Sequence, residues 1–180
     1  MITIISTDEL EQGSDKWLDL RSGLITGTDA QALLRGKSIP DILYAKQHNT
    51  FTGNFWTKRG QALEEVAKEI YSEAKLPITN AGFILNDKYE NAAYSPDGLV
   101  GEDGLVECKA FNERRHYKNY RQIDPSIVAQ IQFGLFISER KWCDLILFNP
   151  DLDVVKDMLL IRRVKPDKKI HKQFVELLNQ

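Results

Sequence analysis

Hydrophobic residues in the first and last parts of the chain recur every three to four positions, the period of an amphipathic helix. The clearest case is segment 57–74, whose apolar stripe consists of Leu63, Val66, Ala67, Ile70 and Ala74. Shorter helices are predicted after the capping residue Ser14, near Thr28, after Pro40 and, at the end of the chain, after Pro166. The pattern predicts helices at both ends of the chain.

The middle of the chain changes to the short apolar runs that are typical of strands. Strands are predicted at 83–85, 92–94, 99–100, 105–109, 143–148 and 158–164, with a turn at 101–104. A largely apolar helix, 126–137, interrupts this series. We therefore predict one domain over residues 1–180 with a mixed α/β fold, in which helices flank a central, mainly antiparallel sheet.

Composition places the chain among ordinary globular proteins. Of its 180 residues, 42% are hydrophobic and 28% are charged, which excludes a disordered or collagen-like chain. No apolar run approaches the roughly 20 residues of a membrane helix, and the first residues lack the features of a signal peptide. The two cysteines, Cys108 and Cys143, are predicted to be buried reduced thiols. We expect a cytoplasmic protein without a membrane partner.

Charge excludes one class of DNA-binding protein. The net charge of −2 and the pI near 6.0 do not fit a non-specific coat protein, which needs a strongly basic surface. A nucleic-acid enzyme with a carboxylate-rich metal centre stays compatible with this balance.

The candidate chemistry lies in Ser-Pro-Asp-Gly-Leu at 95–99 and Glu-Cys-Lys at 107–109. On a strand, Glu107 and Lys109 project from one face, and Cys108 points the other way, toward a helix layer. If the intervening turn holds three residues, Asp97 lies opposite Glu107 on the same face. Two carboxylates beside a lysine would be unfavourable in a buried place without a partner.

A divalent metal ion would resolve this arrangement. Carboxylate oxygens suit Mg²⁺, with Mn²⁺ as an alternative, and the lysine can orient or deprotonate an attacking water. The competing interpretation is structural: Pro-Asp-Gly is a common turn, and an exposed Glu-x-Lys pair is usually solvated. Both interpretations stay open on these residues alone.

Two polar residues lie on the predicted helices where packing alone would not place them. Glu64 is at the edge of the apolar stripe, and Gln130 lies among apolar neighbours on the helix at 126–137. A buried glutamine needs a polar partner. The alternatives are a surface glutamate and a hydrogen-bonded core glutamine.

Five segments in order resemble the lambda exonuclease and YqaJ-like viral recombinase family, a branch of the PD-(D/E)xK nucleases. They are Trp17 to Arg21 with 25–28, Arg59-Gly60 with Glu64, 95–99, 107–109, and 129–132. The resemblance implies a restriction-endonuclease-like core. It implies that Asp97, Glu107 and the backbone carbonyl of Cys108 are metal ligands. It also implies that Lys109 is the catalytic lysine and that Glu64 supports the metal centre.

The same resemblance assigns three further residues. Gln130 would line the site, and Arg21 and Thr28 would bind the 5′-phosphate of a DNA end. An arginine fork suits a terminal phosphate, although Arg21 read alone is an ordinary helix-end arginine.

The implied activity is Mg²⁺-dependent digestion of linear double-stranded DNA from the 5′ end. The implied partners are duplex DNA ends, a single-strand annealing protein that receives the 3′ tail, and two further copies in a trimeric ring. For a phage-encoded protein the location would be the host cytoplasm. The alternatives are an endonuclease or single-strand nuclease on the same core, and a catalytically silent DNA-end-binding module.

Other polar and aromatic residues receive less specific predictions. The histidines, His48, His116 and His171, are predicted to lie at the surface because none stands in a motif. Trp56 is predicted to be a core or rim aromatic. The basic run in 162–172 fits a phosphate-binding patch or a solvated face.

Overall fold

A computed structural model describes residues 1–48 and 55–179, with side chains described from residue 58 in the second range, so the prediction for the side chain of Trp56 lies outside it. The described part has the mixed α/β architecture that the sequence predicts. One sheet has three antiparallel strands in the order β1 (Ile2–Ile5), β2 (Phe83–Asn86) and β3 (Ala93–Tyr94).

The second sheet carries the segments that are of interest for chemistry. Its four strands lie in chain order: β4 (Gly98–Val100), β5 (Gly104–Ala110), β6 (Trp142–Phe148) and β7 (Leu159–Val164). The β4–β5 and β6–β7 pairs are antiparallel, whereas β5 and β6 run parallel. The parallel pair requires a crossover, and helices fill it.

The described helices are α1 (Asp15–Ser22), α2 (Ala30–Leu34), α3 (Ile39–Gln47), α4 (Phe55–Ala74), α5 (Glu113–Arg121), α6 (Pro125–Ser138) and α7 (Lys168–Leu178). Short 3₁₀ turns precede α2 (Gly27–Asp29) and β7 (Val155–Asp157). The predicted helices are therefore present, and the sequence missed β1 and α5. None of the helices in the described ranges combines the length and the apolar character needed to cross a membrane.

The apolar stripe predicted for α4 is partly wrong. Val66 and Ile70 are 41% and 40% exposed and Ala74 is exposed as well, while Ala67 and Tyr71 are fully buried. The reason is that the hydroxyl of Tyr71 donates a hydrogen bond to Asp144 on β6, at 2.7 Å. That bond fixes the rotation of α4 and turns its aromatic side chain, rather than its isoleucine, toward the sheet.

Two helices cover the four-stranded sheet on opposite faces. Ala67 and Tyr71 of α4 pack with Cys108 in one apolar cluster, and α6 packs with Leu105 and Cys143 in the main core. Cys108 therefore points toward a helix layer, as the alternation on β5 predicts. Both cysteines are buried and free, which confirms that prediction.

The surface prediction is wrong for His116. This side chain is fully buried, and its Nε2 lies 2.8 Å from the carbonyl oxygen of Asp157. It belongs to the inner face of α5, which packs against β6 and β7 and contacts the turn before β7. His48 is exposed and His171 is half-buried.

A buried carboxylate ties α4 to two strands. Asp144 is 1% exposed and accepts two hydrogen bonds of 2.8 Å from Arg163, in addition to the one from Tyr71. Burial acts to raise the pKa of Asp144, but the bonds from Arg163 and Tyr71 outweigh it and hold the pKa below its usual value. The carboxylate is thus stabilised in its charged form.

We expect Asp144→Asn to lower the free energy of unfolding at pH 7 by roughly 2 kcal/mol, since it removes charge-assisted hydrogen bonds. The folded-state pKa lies below the unfolded value near 4, so this contribution is present at neutral pH and is lost as the pH falls through the acid range. Urea unfolding at several pH values should therefore show the parent and the variant converging in acid. A difference that stays constant with pH would contradict the assignment.

Gly134 of α6 offers a test of packing. A Cβ there would overlap the ring of Tyr94, whereas a Cβ at Gly60 of α4 would have no neighbour within 4 Å. We expect Gly134→Ala to destabilise the protein by about 1–3 kcal/mol, and the matched variant Gly60→Ala to stabilise it by roughly 1 kcal/mol through helix propensity. Chemical denaturation measures both, and equal effects would refute the close packing.

Candidate active site

The turn between β4 and β5 sets the two motif carboxylates opposite each other. Strand pairing joins Gly98 to Val106 and Val100 to Gly104, which leaves a turn of three residues, 101–103. Gly101 has a φ of +52°, a conformation that favours glycine. Continued by one position, this register places Asp97 opposite Glu107, as the sequence predicts.

Glu107 is the most enclosed acid of the site, with 1% exposure. Its Oε2 accepts a hydrogen bond from the hydroxyl of Tyr94 at 2.7 Å. Its Oε1 accepts one from Nε2 of Gln130 at 2.5 Å and lies 2.7 Å from Nζ of Lys109. The polar partner expected for Gln130 is thus Glu107, and the carboxylate is bound from β3, β5 and α6.

Asp97 is half-buried, and its Oδ2 accepts the backbone N–H of Cys108 at 2.7 Å. Burial, followed by the negative charges of Glu107 and Glu64, raises the pKa of Asp97 to about 8, against the opposing effect of Lys109. Burial is the largest cause of this raised pKa, and the charge of Glu107 adds more to it than Lys109 offsets.

Glu64 and Lys109 complete this cluster. Burial raises the pKa of Glu64, while the charge of Lys109 acts in the opposite direction more strongly than Glu107 adds to the rise; the carboxylate also accepts a hydrogen bond from the backbone of Ala110. Burial acts to lower the pKa of Lys109, but Glu107, Asp97 and Glu64 outweigh it and raise that pKa. Lys109 is therefore an ammonium ion in this arrangement.

Arg21 and Thr28 lie together, although they come from different elements. Nη2 of Arg21 donates to Oγ1 of Thr28 at 2.7 Å, and the guanidinium lies 5.0 Å from the ring centre of Trp17. Burial lowers the pKa of Arg21, while the charges of Asp29 and Glu107 act in the opposite direction. Arg21 and Thr28 thus form a small site, here called the Arg21 corner, with a positive charge and a hydroxyl group. The negative charge of Glu107 acts on this site.

Lys46 and Tyr94 are neighbours of the site that the sequence did not single out. Nζ of Lys46 donates to Oδ2 of Asp29 at 2.6 Å and to Oγ1 of Thr26 at 3.2 Å, which braces the turn that carries Thr28. No sequence motif points to Lys46 as a neighbour of the site; only its contact with Asp29 in the folded protein does. Tyr94 could have been identified from the sequence, because its hydroxyl lies on the predicted strand 92–94, three residues before Asp97.

A cleft of about 650 Å³ opens over the carboxylates. Its lining comes from α1, α4 and the loop before β4, and includes Trp17, Gln61, Glu64, Lys68 and Asp97. Trp17, on which Arg21 stacks, therefore shares one concavity with Asp97. A substrate in this cleft would meet Asp97 and Glu64 and would lie beside Trp17, the ring next to Arg21.

The donor set fits a hard divalent cation. Within the described ranges, no three His, Cys, Asp or Glu side chains already converge on one metal position. Asp97, Glu107 and Glu64 nevertheless supply carboxylate oxygens, and these three acids lie near one another with Lys109 as the cation among them, so a bound divalent ion would neutralise the remaining negative charge. A role for the carbonyl of Cys108 stays a prediction.

The motifs lie in a recognised family domain. A family model described as the YqaJ-like viral recombinase domain matches residues 16–141. Because this match covers more than half of the sequence, the chain belongs to the YqaJ-like viral recombinase domain family. The resemblance seen in the motifs is thereby confirmed. No curated protein matches the chain.

Solved structures share the fold. The crystal structure of LHK-Exo in complex with dAMP has a TM-score of 0.80 and 22% identity, and the match covers 92% of this chain and 89% of that one. A second structure of LHK-Exo, an alkaline exonuclease from Laribacter hongkongensis, gives 0.76 and 24%, covering 92% and 91%. A phage-related exonuclease from Haemophilus somnus 129PT gives 0.63 and 14%, covering 90% and 93%.

The crowding of carboxylates predicts a response to metal. We expect Mg²⁺ at a tenfold excess over its dissociation constant to raise the melting temperature of the parent by roughly 3–5 °C. Asp97→Asn should melt higher than the parent in EDTA at pH 9, because it removes a repelled charge, and should respond less to Mg²⁺. The control Asp153→Asn changes an exposed acid and should behave like the parent. An equal Mg²⁺ response in all three would contradict a site at Asp97.

Proposed function

We propose that this protein is a metal-dependent nuclease that digests linear double-stranded DNA from the 5′ end and leaves 3′ single-stranded tails. The observation that carries the proposal is the convergence of Asp97, directly before β4, with Glu107 and Lys109 on β5, while Glu64 and Gln130 reach in from the flanking helices. Membership in a viral recombinase family and a fold shared with exonucleases support it.

The side chains divide the work of phosphodiester hydrolysis. Asp97 and Glu107, supported by Glu64, would hold Mg²⁺, or Mn²⁺ in its place. The ion would supply Lewis-acid stabilisation of the charge that develops on the phosphate. Lys109, held 2.7 Å from Glu107, would orient the attacking water and stabilise its developing negative charge. Gln130 would fix the rotamer of Glu107 through its hydrogen bond.

The corner of Arg21 and Thr28 supports action at a 5′ end. Arg21 is a permanently charged fork, and its contact with Thr28 places a hydroxyl beside the guanidinium. Such a pair is suited to the dianionic terminal phosphate, which carries more charge than an internal phosphodiester. A duplex whose 5′-phosphate binds there would present the first internal phosphate to the carboxylates.

A place in recombination follows from the same activity. A 3′ single strand is the substrate of a single-strand annealing protein, and the proposal includes such a partner in the host cytoplasm. It also includes assembly of three copies into a ring around the DNA. The family description as a viral recombinase supports this role.

The decisive experiment is digestion of three DNA substrates in Mg²⁺: linear duplex with 5′-phosphate, linear duplex with 5′-hydroxyl, and a closed circle. We expect rapid loss of the 5′-phosphorylated strand and an intact circle, with no digestion in EDTA or by Lys109→Ala. Cutting of the circle would favour an endonuclease on the same core. End binding without cleavage would favour a silent binding module.

The end pocket has its own test. Arg21→Ala should reduce the preference for 5′-phosphate over 5′-hydroxyl ends about tenfold or more, because it removes charge-assisted hydrogen bonds to the phosphate. Arg35→Ala, at an exposed arginine after α2, is the matched control and should keep the parental preference. An unchanged preference in Arg21→Ala would remove this residue from the pocket.

A further inference from the structure

Helix α5 concentrates positive charge in a chain that is slightly acidic overall. Of its nine residues, one is acidic and four are basic and exposed: Arg114, Arg115, Lys118 and Arg121. None of these four forms an ion pair with a side chain in the described part of the chain. Uncompensated charge on a rigid element is the electrostatic footprint of an anion-binding surface.

The charges have a regular spacing along one face of α5. Arg114, Lys118 and Arg121 are four and then three residues apart, so their side chains share one face. They span a rise of roughly 10 Å along the helix axis. This distance equals about three steps between successive phosphates on one DNA strand. His116 and Asn119 are buried on the opposite face and fix which way the basic face points.

A second cleft lies at the start of this helix. It has a volume of about 650 Å³ and lies between the first half of α4 and the segment that joins β5 to α5. Ala110, whose backbone bonds Glu64, lines it together with Phe111 and Arg115. The guanidinium of Arg115 lies 4.2 Å from the ring centre of Phe111. Of the four basic residues of α5, only Arg115 lines this cleft, and Asp151, which pairs with Arg59, lines it as well.

We propose that the outer face of α5, formed by Arg114, Lys118 and Arg121, binds the phosphodiester backbone of duplex DNA away from the digested end. The inference rests on the proposed function, because it takes the DNA in the active-site cleft as the ligand. Contacts of this kind read phosphates and not bases, so they suit a protein that moves along any sequence. Helix α5 begins four residues after Lys109, so its basic face follows directly on the candidate active site along the chain, and this favours the DNA over an acidic partner protein.

The test is duplex binding in EDTA, where cleavage does not interfere. A 5′-phosphorylated duplex of roughly 30 base pairs is titrated by fluorescence anisotropy at several salt concentrations. The triple variant Arg114→Ala, Lys118→Ala, Arg121→Ala should bind at least about tenfold more weakly near 0.1 M salt, and the slope of log K against log salt should fall in magnitude by about 2–3. Circular dichroism verifies that it is folded.

A triple variant outside α5 and outside the basic run 162–172 controls for total charge: Lys37→Ala, Lys75→Ala, Lys141→Ala. These lysines are also exposed, and we expect the affinity and salt slope of the parent. An equal loss in both triple variants, or an unchanged slope in the α5 variant, would overturn the inference. In the latter case an acidic protein surface would be the ligand class that fits the same charges.

The experiments distinguish a failure of the proposed nuclease function from a failure of the proposed role of α5. If the parent binds duplex DNA through α5 but cleaves none of it in Mg²⁺, only the nuclease function fails. If the parent digests DNA and the α5 variant binds as tightly as the parent, only the assignment of α5 fails.

Discussion

The burial of Glu107 is the constraint on which the rest of the molecule depends. This acid is almost inaccessible to water, and a bare carboxylate in such a place would be strongly unfavourable. Tyr94, Lys109 and Gln130 compensate it from three elements: a strand of the three-stranded sheet, the strand of Glu107 itself, and the apolar helix α6. The two sheets and α6 are thus joined around one negative charge. The contacts that hold these elements together are therefore the same contacts that position the carboxylate of Glu107.

The packing around Tyr94 shows how little freedom this arrangement leaves. Its ring lies against Gly27 and Gly134, where any side chain would meet it. Gly27 begins the turn that carries Thr28, and Gly134 lies one helical turn after Gln130. One aromatic ring therefore contacts the backbone of the Arg21 corner, the helix of Gln130 and the acid Glu107. This contact links the position of the Arg21 corner to that of the carboxylates, because a side chain at either glycine would press on the ring.

Much of this site follows from local sequence. Asp97 and Glu107 are separated by ten positions with a glycine-bounded turn between them, and strand pairing then leaves one register, so their juxtaposition was predictable. The helix α5 could not be predicted from the sequence, because its buried residues, His116 and Asn119, are polar and it has no apolar stripe. On α4, a hydrogen bond across the fold decided which residues face the sheet, and helical periodicity carries no information on that. The meeting of Arg21 with Thr28 could be anticipated only through the family motifs.

The order of strands also has a consequence for how the chain folds. β4 and β5 form a local hairpin, so Asp97 and Glu107 meet early at a small cost in loop entropy. The parallel partner β6 and the helix α6 belong to a crossover that begins only after β5 and ends more than thirty residues later. During this interval Glu107 has Lys109 beside it but not yet Gln130. We therefore expect the docking of α6, which supplies Gln130 and closes the core, to be the slow step, and its barrier to include the desolvation of this acid.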